Sequence, residues 1–125
     1  MSVVEELLDL RVAGRPEHQF PLIAFYNDYL AWHAIECIRA RGLRMPEDIG
    51  VAGYDDIAPP VAPEVKLSTV HLPIEELGVA AVRQLVRRLA CPDDPPVHLL
   101  LDVPVVAGNS GGEKGGRESK LRAKD

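Results

Sequence analysis

Hydrophobic positions along the chain follow two periods. Val3 to Val12 predicts a helix, because Leu7, Leu8 and Arg11 or Val12 recur at helical spacing. Glu5 and Glu6 stand in its first turn, where the dipole favours acidic groups. Ala13 to Gln19, with Gly14 and Pro16, reads as a loop. Phe20 to Tyr26 is an apolar run of strand length, as expected for a strand buried on both faces of a parallel sheet. Asp28 can cap the next helix, whose apolar face is Ala31, Ala34, Ile35 and Ile38. Arg39 and Arg41 fall in its last turn, Gly42 suits the left-handed position after it, and Pro46 follows the stop.

Ile49 to Tyr54 predicts a second strand, and Ile57 to Lys66, with the three prolines Pro59, Pro60 and Pro63, a loop. Leu67 to Leu72 is extended. Pro73 opens a third helix that runs to about Ala90, with Ile74, Leu77, Gly78, Ala81, Val82, Leu85 and Leu89 as its core face. Glu75 and Glu76 begin it, and Arg83, Arg87 and Arg88 close it. Val97 to Leu101 and Val103 to Ala107 predict short strands, kinked by Pro104. From Gly108 on, glycine and charge replace apolar residues, and residues 109–125 read as a disordered tail. Strands alternating with helices imply an α/β layer fold with a mostly parallel sheet flanked by helices.

Composition narrows the function classes. A chain of 125 residues can make one domain and little more. The net charge of −5 gives no support for general nucleic-acid affinity. Its distribution is uneven: from Glu113 five basic and three acidic residues give +2, which leaves −7 on the rest. Cys37 and Cys91 lie far apart without a Cys-x-x-Cys pair, so neither a disulfide framework nor a zinc site is expected. The start resembles no signal peptide and no segment is suited to span a membrane, so the cytoplasm is the expected compartment.

Two polar tips, Asn27-Asp28 and Gly53-Tyr54-Asp55-Asp56, fall at the carboxyl ends of two expected parallel strands. Open α/β sheets bind ligands at that edge. His18, His33, His71 and His98 have no metal-ligand spacing, and no nucleophile with a companion base is visible. Asp55 and Asp56 are adjacent, so on a strand they point to opposite faces rather than forming a catalytic pair. A binding module, not an enzyme, is expected, and no cofactor or metal.

Three blocks together carry a family resemblance. They are Asn27-Asp28-x-x-Ala31-x-x-Ala34, then Arg41-Gly42-Leu43-Arg44-x-Pro46-Glu47-Asp48-Ile49-x-Val51-x-Gly53-Tyr54-Asp55-Asp56, then Leu67-Ser68-Thr69-Val70-x-x-Pro73-x-x-x-Leu77-Gly78-x-x-Ala81. In order and spacing the chain resembles the sensor domain of LacI/GalR-type transcriptional repressors. The resemblance implies a partial periplasmic-binding-protein-like (type I) lobe over residues 1–108, most of the second of two lobes. The DNA-binding head and the first lobe are expected to be absent from this chain, so DNA contact would need a longer parent. The implied ligand is a small-molecule effector, a sugar by preference. A remnant of a sugar-binding protein from a transport system is the alternative.

The resemblance also implies site residues. Asn27 and Asp55 match effector-contacting positions, and an amide and a carboxylate suit the hydroxyls of a polyol. The plainer reading is that both cap the turns that follow. Asp28 is expected as a helix cap, Asp56 as a turn residue and His71 as a partly exposed strand histidine. Tyr29, Trp32, His33 and Glu36 share a second face of the same helix. Tyr29, Trp32 and His33 are the expected homodimer contact, since the matching family helix contributes to dimerisation. Four positions depart from the family: His33 for Gly, Val65-Lys66 for Pro-Pro, and Leu72 for Gln. The last removes a polar group near the effector cleft.

Overall fold

The computed structural model describes residues 2–59 and 64–112. Helix α1 spans Val3–Val12 and begins at a reciprocal cap: the Ser2 hydroxyl accepts from the Glu5 amide, and the Glu5 carboxylate accepts from the Ser2 amide. Two otherwise orphaned donors are satisfied at once. A single 3-10 turn, Pro16–His18, sits inside the expected loop. Strand β1 is Leu22–Ala24, α2 is Asp28–Ala40, β2 is Gly50–Ala52, β3 is Thr69–Val70, α3 is Ile74–Ala90 and β4 is Val105–Val106.

Strand β1 lies parallel to β2, with Leu22 opposite Gly50 and Ala24 opposite Ala52. On its other side β2 continues into the next segment through parallel bridges, Ala52 to Ser68 and Asp55 to His71. The Gly53 and Asp55 amides donate to Ser68 and Val70 carbonyls at 2.9 and 3.0 Å. Strand β4 runs the other way, antiparallel to β3. The parallel α/β layer expected from the alternation of periods is therefore present.

The core forms where α2 lies between α1 and β2. Ala31, Ala34, Ile35 and Ile38 are buried, as their spacing predicts, and Ala31, Ile35 and Ile38 share one core with Leu8, Ile49, Val51 and Leu67. Arg41 locks the two helices: its guanidinium meets Asp9 at 2.7 Å and donates to the Cys37 and Glu5 carbonyls at 3.2 Å each. Arg11 does the same for the next loop, donating to the Phe20 carbonyl at 2.8 Å and to the Asp48 carbonyl, with its charge over the Phe20 ring. Gly42 ends α2 at φ +70°, a conformation that a side chain would strain. Cys37 is buried, which pushes its thiol pKa up, while Cys91 is exposed.

Several expectations are corrected. The strands are shorter than the apolar runs, since only residues with a partner at the right register join a ladder. Val97 to Leu101 forms no strand and remains largely exposed, with Leu100 at 97%. The expected core face of α3 is not a core face: the helix has no buried residue among those described. Asn109 and Ser110, expected in the tail, are docked instead. Ser110 is buried, its hydroxyl donates to the Val51 carbonyl at 2.7 Å and accepts from the Ser68 amide at 2.9 Å. Residues 113–125 of that tail, and residues 60–63 of the proline loop, lie outside the described residues.

Candidate functional site

The carboxyl ends of β1 and β2 meet at one edge, and the tips of both are tied together. The Asp28 amide donates to the Tyr54 carbonyl at 2.9 Å. The Asp28 side chain, 1% exposed, turns inward rather than capping the helix. One carboxyl oxygen accepts from the Thr69 hydroxyl at 2.6 Å, the other from the Ile57 amide at 2.8 Å. Asp28 thus joins the start of α2, the loop after β2 and strand β3. The helix cap falls on Asn27, whose side-chain oxygen accepts from the Leu30 amide at 3.0 Å. This corrects the expectation that Asp28 is the cap.

Gly53 explains why the second tip begins with glycine. A Cβ there would lie 2.1 Å from an Asp28 carboxyl oxygen and 2.9 Å from a Leu67 methyl. The buried carboxyl can approach β2 only because nothing projects from that position. Beyond it the chain turns through two left-handed residues, Asp55 at φ 113° and Asp56 at φ 58°. A non-glycine residue in such a conformation stores about 1–3 kcal/mol, and such strain clusters at functional sites.

The two carboxylates of the tip then separate. Asp56 turns to His71, with its Oδ2 2.9 Å from Nδ1, an exposed pair. Asp55 is half-buried, and its carboxylate has no hydrogen-bond partner among the described residues. A cavity of about 460 Å³ opens beside the tip, lined in part by Asp28, Asp56, Ile57 and Thr69. Asn27 and Asp55 are outside its lining. Both are half-buried at the same edge of the sheet.

The expected interface residues are split. Tyr29 is exposed at 63% and His33 is exposed, but Trp32 is 6% exposed and belongs to the core cluster. A ring so far inside serves packing in this chain rather than a free surface. The Asp28–Thr69 contact was not legible beforehand. It spans 41 residues, and neither residue stands in a recognisable motif with the other. The one available signal was an acidic residue placed beside the apolar stripe of α2.

Parallel strands that present an amide and a carboxylate at one sheet edge, backed by α1 and α2, define a lobe of the periplasmic-binding-protein type. The chain matches the periplasmic binding protein-like domain family over residues 2–110 and belongs to it, as a sensor-domain portion of LacI-type regulators. It is 41% identical over 76 residues to the arabinose metabolism transcriptional repressor of Geobacillus stearothermophilus, covering 60% of this chain and 21% of the relative. A transcriptional regulator CelR–cellobiose complex superposes with a TM-score of 0.71 at 29% identity, over 86% of this chain and 32% of that one. The Lac repressor dimer bound to operator and the anti-inducer ONPF gives 0.70 at 25% identity, over 86% and 36%. The chain therefore spans about a fifth of that curated relative. The relatives are transcriptional regulators, not enzymes. Among the described residues no three His, Cys, Asp or Glu side chains form a metal-binding group, and no helix is long and apolar enough to cross a membrane.

Proposed function

We propose that this chain is the effector-sensing portion of a LacI-type transcriptional repressor. Its Asn27 and Asp55 tips contact a small polyhydroxylated molecule, a sugar by class. The observation that carries the reading is Asp55: a carboxylate without a partner among the described residues, held at φ 113° just beyond the carboxyl end of β2. Strain of that kind, at a tip anchored by buried Asp28, pre-positions an acceptor before any ligand arrives. Cellobiose in the complex of one structural neighbour supports the sugar class.

A longer parent carries the DNA-binding head, acts in the cytoplasm and dimerises, with Tyr29 and His33 on the exposed face of α2 as contacts. The family resemblance implies a Gln where Leu72 stands, so Leu72 is expected to offer the effector one polar contact fewer. The decisive experiment is titration of a full-length regulator containing this segment with a panel of mono- and disaccharides, as wild type and as Asp55→Asn. A carboxylate that accepts from two hydroxyls contributes about 1.5–3 kcal/mol, so the variant should bind about tenfold to a hundredfold more weakly with operator binding unchanged. Equal effector affinity for both would return Asp55 to a turn residue. Export of the parent to the periplasm would favour the transport-protein alternative.

A further inference from the structure

Two successive residues of the second tip, Asp55 and Asp56, are left-handed without being glycine. An aspartate visits that region only as a minority conformation, so the local sequence alone does not hold it there. The ties come from neighbouring segments. Asp28 holds the flanks, through the Tyr54 carbonyl and the Ile57 amide. The segment around β3 holds the turn itself. The Asp55 amide donates to the Val70 carbonyl at 3.0 Å, and the Asp56 carboxylate lies 2.9 Å from His71 Nδ1. His71 is anchored in turn, since its backbone amide donates to the Pro104 carbonyl at 2.9 Å.

Of the ties to the turn, only the Asp56–His71 pair changes its charge near neutrality, where histidine gains and loses its proton. The other ionisable groups on the adjoining elements are Asp55 on the tip, Asp28 through Thr69, Asp102 ahead of Pro104, and Glu75 and Glu76 at the start of α3. All are acidic, and among the described residues Asp56 alone pairs with the ring. Both partners are partly exposed, so the attraction of opposite charges shifts the turn by at most about fivefold.

We propose that His71 is a positioning residue for Asp55: by pairing with Asp56 it fixes the left-handed turn, more firmly when the ring carries its proton. The clasp is full at about pH 5–6, where the ring is charged and the carboxylate ionised, and weakens as the pH rises to about 8. Its consequence, tighter effector binding toward acid pH, rests on the effector reading above; the clasp itself is measurable without a ligand.

The first arm of the test follows amide exchange in the 125-residue chain by nuclear magnetic resonance, corrected for the intrinsic effect of pH. The Asp55 amide should be about two- to fivefold better protected at pH 5.5 than at pH 8. The Val51 amide, bonded to the Ser110 carbonyl at 2.8 Å in the core, is the internal reference and should not follow. His71→Asn keeps a donor near the place of Nδ1 but does not titrate, so protection should remain and its pH dependence vanish. His71→Val should lose both. Asp56→Asn suits left-handed backbone as well as aspartate does and should also remove the pH dependence. Protection of Asp55 that ignores pH in the wild type, or follows it equally in His71→Asn, would overturn the proposal. The second arm titrates a full-length regulator containing this segment with glucose, sucrose and cellobiose. The sugar that binds best should bind about two- to fivefold tighter at pH 5.5 than at pH 8, and His71→Asn should flatten that profile. A flat wild-type profile, with binding still weakened by Asp55→Asn, would overturn the link from clasp to effector. Binding of none of the three, or binding indifferent to Asp55→Asn, would instead count against the effector reading and leave the exchange arm to decide the clasp.

Discussion

Thr69→Val tests whether the buried carboxyl of Asp28 holds the strand tips together. The change keeps the branched shape on β3 and removes one hydroxyl. That hydroxyl donates to Asp28 at 2.6 Å, and Asp28 is 1% exposed, so water cannot replace it. A hydrogen bond to a carboxylate contributes about 1.5–3 kcal/mol, and the loss here leaves a buried acceptor short of its donor. The expected destabilisation is about 2 kcal/mol, or roughly a 1 M shift of a urea midpoint for a chain of this size. Asp28→Ala should cost more, because the Ile57 amide loses its partner at 2.8 Å as well. The assay is urea unfolding followed by fluorescence of the single tryptophan, Trp32, which is 6% exposed and so reports the core. Protein concentration must be held constant, since association adds to apparent stability. The double variant closes a cycle whose coupling energy should be about 1.5–3 kcal/mol. A cost for Thr69→Val below about 0.5 kcal/mol, the range of ordinary surface changes, or a coupling near zero, would refute the latch.

Three further outcomes follow from the same geometry. Gly53→Ala drives a methyl group into the Asp28 carboxyl and should cost about 2–3 kcal/mol by the same unfolding assay, as overpacking does; a neutral result would mean that the tips can part freely. Asp55→Gly relieves a residue at φ 113° and should stabilise the chain by about 1 kcal/mol while deleting the proposed effector contact, so a loss of stability would argue against strain at this position. The Arg44 guanidinium and backbone amide beside Asp48 pull its carboxyl pKa down to about 2, below its ordinary value of about 3.9. Its contribution to stability is thus present above about pH 4 and is lost as the pH falls toward 2; a carbon-detected titration should show that inflection, and Asp48→Asn should flatten the acid limb of the stability profile over the same window.

Local chemistry accounts for what was legible in the chain alone. The ends of α1 and α2 are set by nearest neighbours: acidic residues in the first turn of α1, and Arg39 followed by Gly42 at the end of α2. The stripe Ala31, Ala34, Ile35, Ile38 named its own buried face, because helical period alone decides which side chains share one. That Asn27 and Asp55 lie a few residues beyond β1 and β2 was readable from the apolar runs that precede them. Tertiary structure decided the rest. Whether a side chain at the border of a stripe faces in or out depends on what packs beside it. So Trp32 became core and Asp28 became a buried tie to Thr69, a partner 41 residues away that no local pattern encodes. Helix α3 makes the same point in reverse. Its amphipathic pattern predicted a helix correctly, but a pattern states only that a face should be covered. It cannot supply the surface that covers it, and α3 has no buried residue among those described.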